Sequence, residues 1–190
     1  MNEKMNQNTR IRKTIYFSLI AIISALYVVL VITIPIAWEI PQVRFADALF
    51  STVFIFGYPG AIGITIGCVI ANMVGGLGII DIAFGSLANL LGGVLGYFLY
   101  RKIKHVEGKK KYVYVQLILL MMNLINTFIV GTYLPILLGY PFWLSYLGIF
   151  TGSLISMNII GFILYLAFER AKLELYFNPH QTNNYNTNYE

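Results

Sequence analysis

Four long stretches of this chain contain no charged residue: 14–38, 48–80, 82–100 and 112–168. A helix of about 20 apolar residues crosses a hydrocarbon layer of roughly 30 Å, so runs of this length point to a bilayer rather than to water. The first and third each supply one span. The second is interrupted by Gly-Tyr-Pro-Gly at 57–60 and reads as two helices, the first of them short. The fourth is interrupted by Gly-Tyr-Pro at 139–141 and gives two more. The expectation is an all-α integral membrane protein with six transmembrane helices. Composition agrees, because charged residues make up 11% of the chain, against about a quarter in a soluble domain.

The net charge of +5 could suggest nucleic acid, but the placement of the charge argues against it. Of 13 Lys and Arg, four precede residue 14 (Lys4, Arg10, Arg12, Lys13) and six lie in the 101–111 stretch RKIKHVEGKKK. Arg170 and Lys172 follow the last apolar run, which leaves Arg44 alone on the other side. By the positive-inside rule both termini and the 101–111 loop are cytoplasmic, in a multi-pass protein of the plasma membrane. Glu39, Asp47, Asp81 and Arg44 then fall on the outer side. The organisation expected is a basic N-terminal segment at 1–13, a membrane domain at 14–170, and a polar tail at 171–190. The first apolar run is too long for a cleaved signal and lacks a small-x-small site after it, so it reads as a retained anchor.

Much chemistry is excluded. The chain has no P-loop, and the glycine-rich GGLGIID at 75–81 has neither a preceding strand nor a following lysine. No His-Glu-x-x-His occurs, and His105 and His180 fall in a loop and in the tail. A single cysteine, Cys68, excludes an internal disulfide and a multi-cysteine metal site. Asp47 and Asp81 are the one pair available for intramembrane aspartyl chemistry, and GLGIID lacks an aspartate directly after the glycine. No catalytic residue, metal or cofactor is expected.

Polar groups near hydrocarbon are costly and tend to be functional. The stretch PQVRFADALF (41–50) sets Gln42, Arg44 and Asp47 close together. Asp47 either meets a ligand or pairs with Arg44, three residues away, to cap a helix. Asp81 either caps the helix that follows its glycine turn or borders the same site. Asn72, Asn126 and Asn158 join helices or touch a ligand. Trp38, Phe142 and Trp143 anchor the chain at the interface, or one of them stacks on the ligand, with Phe45 and Phe84 as lesser candidates. In the first span, AIISA places Ala21 and Ala25 four apart. Such a pair allows close helix approach, either within the bundle or against a partner.

An alanine pair on the first of six helices, in a chain without an ATPase, resembles the substrate-binding (S) component of energy-coupling factor (ECF) transporters. PQVRFADALF, GGLGIIDIAFGSLANLLGG, NTFIVG and GYPFWLSYLG narrow the resemblance to the queuosine-precursor transporter family, QueT, from about Ala21 to Gly161. The resemblance implies a membrane protein that binds a 7-deazaguanine base. It also implies a transmembrane coupling subunit and two ATPase subunits as partners, with Ala21 and Ala25 meeting the coupling subunit. Asp47 would accept the N–H and amino edge of the base. The family pattern has glutamate where Asp47 stands, a second glutamate at the position of Ser153, and threonine at Asn89. The site expected is therefore Gln42, Arg44, Asp47, Asn72, Asp81, Asn126, Trp143 and Ser153. Two rival readings are an S component for another vitamin or base, and a stand-alone facilitator.

Overall fold

A computed structural model describes residues 2–34 and 43–173, with side chains from residue 10 onward. Gln42, Trp38, Glu39 and nearly all of the polar tail lie outside the described residues. Six helices are present among the described residues: α1 (Asn2–Thr33), α2 (Phe45–Phe56), α3 (Tyr58–Gly75), α4 (Ile79–Ile103), α5 (Lys109–Leu138) and α6 (Phe142–Arg170). All except α2 are long and apolar enough to cross a membrane. Of the six transmembrane helices expected, five are long enough to span and the second, expected to be short, is short.

The physical reason lies in the turn at Gly57. Its φ of 67° is a left-handed conformation that glycine adopts without a Cβ clash, and it ends α2 and starts α3. Pro59 then sits in the first turn of α3, where its missing N–H costs nothing. The room left before that turn holds a 3-10 segment of seven residues (Phe45–Ser51) and an α-helix of five (Thr52–Phe56). At about 2.0 and 1.5 Å per residue these extend roughly 20 Å, short of a bilayer core. Hydroxyls support the tight turns: Ser51 Oγ donates to Ala48 O at 2.8 Å and Thr52 Oγ1 to Leu49 O at 2.6 Å.

Consecutive long helices pack side by side, and α2 tucks among α1, α3 and α6. The contact between α1 and α3 is built on Gly63 and Gly67, four apart on α3. A Cβ on Gly67 would lie 2.6 Å from Cβ of Tyr27, and one on Gly63 2.8 Å from Cβ of Ile23. Ser24 Oγ donates across the same contact to Gly63 O at 2.9 Å. Small residues with a bridging hydroxyl are how membrane helices approach closely without a hydrophobic drive between them. Ala21 and Ala25 are not in this contact: both are exposed, on the face of α1 turned away from the bundle.

Helix α6 changes register along its length. Leu154–Gly161 is a π-helical turn between two α-helical halves. Widened turns free backbone carbonyls, which a membrane interior cannot leave unmet. Gln116 Nε2 from α5 supplies one bond, donating to Asn158 O at 2.9 Å. Asn158 Nδ2 returns bonds to Gln116 O at 3.2 Å and Oε1 at 3.1 Å. Asn158 therefore has the interhelical role, joining α5 to α6.

The helix hairpins give the bundle two unlike ends. The start of α1, the α4–α5 loop and the end of α6 share one end and carry the basic residues. Just inside it, Lys111 Nζ meets Glu169 Oε1 at 2.7 Å, and Tyr165 donates to the same oxygen at 3.1 Å. Phe54 from α2 packs its ring 4.9 Å from that of Tyr100 and 5.6 Å from that of Tyr165. With Phe50, Leu119, Met122 and Met157 fully buried, this half of the bundle is filled. The start of α2, the α3–α4 turn and the α5–α6 turn form the opposite end.

A buried polar site at the end opposite the basic residues

The polar side chains of that opposite end are directed inward. Arg44, Asp47, Asn72, Asp81 and Asn89 are all buried, with Asn72 and Asp81 wholly so. They come from α3, α4 and the start of α2, and Tyr27 from α1 and Tyr133 from α5 complete the set. Asp47 Oδ1 accepts from the Tyr27 hydroxyl at 3.0 Å, and Asn89 Nδ2 donates to that same hydroxyl at 3.1 Å. Arg44 Nη1 lies 3.4 Å from Asn72 Oδ1 and donates to it. Asn72 Nδ2 donates to Asp81 O at 3.0 Å, and Tyr133 donates to Asp81 Oδ1 at 2.7 Å.

Arg44, Asp47, Asn72 and Asp81 are thus brought to one site. The cap expected of Asp81 is corrected. The residue preceding α4 is Gly78, with φ 99°, and Asp81 lies in the first turn without a side-chain cap bond. Its carboxylate reaches Tyr133 instead, because the first turn of α4 faces α5 rather than solvent. Asp47 likewise meets Tyr27, so its hydrogen bond runs to α1.

Asn126 and Ser153 form a second polar contact between α5 and α6, where Asn126 Nδ2 donates to Ser153 Oγ at 3.3 Å. Asn123 adjoins it, donating to Phe150 O at 3.3 Å and accepting from Thr127 at 3.0 Å. Trp143 stands apart from both clusters. It is 64% exposed at the start of α6, the disposition of an interface anchor. Phe142 and Phe84 are exposed too, and Phe84 tilts against Tyr133 with ring centroids 5.9 Å apart. Cys68 is fully buried and packs among apolar residues of the core.

Tyr27, Tyr133 and the bonding role of Asn89 were not assigned from sequence. Tyr27 looks like any aromatic in an apolar span, and the available signal is indirect: GITIG on α3 marks where α1 must approach. Four buried polar atoms of α4 and α6 have no hydrogen-bond partner among the described residues: Asp81 Oδ2, Ser86 Oγ and Ser145 Oγ, and Asn158 Oδ1 further along α6. Unmet polar atoms cost about 1–3 kcal/mol each, and the first three fit a site completed by a polar ligand. Two carboxylates and several amides suit a compact molecule with N–H donors, and the guanidinium suits an oxygen acceptor on it. Among the described residues no three His, Cys, Asp or Glu gather as a metal site.

Five helices long and apolar enough to cross a membrane, around a buried polar site at one end and with a filled half beyond it, describe a multi-pass membrane protein. Residues 17–170, from the first span to the end of α6, match the model of the QueT transporter family, and the chain belongs to that family. No curated protein and no solved structure matches the chain.

Proposed function

We propose that this protein is the substrate-binding component of an ECF transporter and takes up a queuosine precursor, a 7-deazaguanine base, across the cell membrane. The observation that carries the reading is the buried cluster of Asp47, Asp81, Arg44 and Asn72 at the end away from the basic residues. A deazaguanine offers a flat bicycle, a lactam oxygen, and an N–H plus amino edge. Asp47 accepts that edge, with bonds from a charged acceptor contributing about 1.5–3 kcal/mol each. Arg44 or Asn72 meets the lactam oxygen, Asp81 borders the ring, and Gln42 is a further candidate for the ligand's polar edge. Asn126 and Ser153 receive the substituent of the base. Energy comes from a transmembrane coupling subunit and two ATPase subunits, docked on the Ala21–Ala25 face of α1, which is exposed and free of packing within the bundle.

The filled half around Phe54, Tyr100 and Tyr165 argues against a stand-alone facilitator, which needs an open path. A different base remains a second reading, favoured by the hydroxyl of Ser153 where a carboxylate would select an amine. Titration calorimetry on the purified protein is expected to show saturable binding of 7-cyano-7-deazaguanine and its aminomethyl counterpart. Binding of adenine or a vitamin with neither precursor bound would replace the substrate. Orientation has its own test. A cysteine at Glu107, in the exposed α4–α5 loop, should resist an impermeant thiol reagent in intact cells and react after the cells are opened. Labelling from outside would invert the topology.

A further inference from the structure

Behind each of the two carboxylates stands a buried tyrosine from a neighbouring helix. Tyr27 on α1 donates to Asp47 Oδ1 at 3.0 Å. Its hydroxyl also accepts from Asn89 Nδ2 at 3.1 Å, an amide whose nitrogen lies 3.4 Å from Ile64 O. A phenol has a single hydrogen, and with an amide N–H on its oxygen that hydrogen is aimed at Asp47. Tyr133 on α5 repeats the arrangement, donating to Asp81 Oδ1 at 2.7 Å while Oδ2 stays buried without a partner among the described residues. Both phenols are wedged. A Cβ on Gly67 would lie 2.6 Å from Cβ of Tyr27, and one on Gly85 would lie 3.2 Å from the Tyr133 hydroxyl and 2.6 Å from Asn72 Nδ2.

We propose that Tyr27 and Tyr133 are positioning residues that set the specificity of this site. Each ties one carboxylate oxygen, so the carboxylate cannot rotate and the rest of it presents an acceptor in a fixed direction. The ligand class this selects is a planar base with N–H donors on two edges, and a base lacking the exocyclic amino group is rejected. A site built to meet an N–H leaves its own buried acceptor unpaired when that group is missing, which is the strongest kind of discrimination a pocket offers. The inference rests on the reading that Asp47 and Asp81 border the ligand.

Calorimetry with 7-deazaguanine and with 7-deazahypoxanthine, its analogue without the amino group, tests both. Wild type should prefer 7-deazaguanine. Tyr27→Phe and Tyr133→Phe keep the ring packing and remove only the hydroxyl. Each is expected to weaken 7-deazaguanine about tenfold while leaving 7-deazahypoxanthine nearly unchanged, so the preference narrows. In an Asp47→Asn background, Tyr27→Phe should add little, since two residues acting through one contact are not additive. Equal weakening of both bases would mean the hydroxyls merely support the fold and would overturn the inference. Normal affinity and preference in both Phe variants, with Asp47→Asn impaired, would also overturn it while leaving the binding reading intact. Normal binding by both Asp47→Asn and Asp81→Asn would remove the binding reading and this inference together.

Discussion

Replacing Ala21 and Ala25 together by leucine should abolish uptake in cells that contain the energising module. Ligand affinity of the purified double variant should stay within about twofold of wild type, the range of surface substitutions that touch no packed feature. The separation of effects follows from the two faces of α1. Ile23, Ser24 and Tyr27 are buried against α3 and the site, whereas Ala21 and Ala25 are exposed. Leucines on the exposed face leave the α1–α3 contact and the Tyr27–Asp47 bond untouched. They do hold a second helix away, because close approach in a membrane depends on small side chains at the contact. Uptake with a radiolabelled precursor and calorimetry on the same variant measure the two quantities. Normal uptake would remove the partner from this face, and lost binding would show that the face serves the fold instead.

Asp47→Asn should weaken 7-deazaguanine binding by about 1.5–3 kcal/mol, roughly 10- to 100-fold. The amide keeps the shape of the carboxylate and still offers an oxygen to Tyr27. Its NH2 group, however, faces donors of the base with a donor of its own. Asp47→Glu should be tolerated better, since the reach lengthens while both acceptors remain. Ser153 tests the substituent end of the same ligand. It is buried and accepts from Asn126, and a buried ammonium needs a carboxylate nearby. Ser153→Glu should therefore shift preference from the neutral nitrile toward the cationic aminomethyl base. Unchanged selectivity would place position 153 outside the pocket. Normal binding by Asp47→Asn would reduce 41–50 to structure and move the substrate elsewhere.

Most of the architecture was legible because bilayer physics acts through composition. Charge-free length marks the spans, and the gathering of every basic residue but Arg44 at one end divides the bundle into two. The breaks at 57–60 and 139–141 could be read because glycine and proline act locally: Gly57 and Gly139 do adopt positive φ, at 67° and 73°. The shortness of α2 was legible for the same reason. Its extent is fixed by the distance from the charged Arg44–Asp47 pair to the Gly57 turn. Chain-local features of this kind do not depend on what packs against them.

Side-chain partners were not legible, since they depend on which helices meet and in what rotation. Asp81 looked like a cap because a glycine turn precedes it, yet the rotation of α4 hands its carboxylate to Tyr133, 52 residues further along. Asp47 could be read as meeting a ligand or as pairing with Arg44, and neither reading foresaw that α1 brings Tyr27 to it across 20 residues. Two small-residue pairs, Ala21 with Ala25 and Gly63 with Gly67, carry the same spacing signal; the fold buries the second and exposes the first. The sequence alone thus determined a membrane-spanning α-helical chain with unlike ends and its polar residues gathered at one of them, because hydration and backbone geometry are properties of short segments. Which tyrosine holds which carboxylate, and which face of α1 is left outside, was decided only by tertiary packing, because a hydrogen bond exists only where two helices place both groups within about 3 Å.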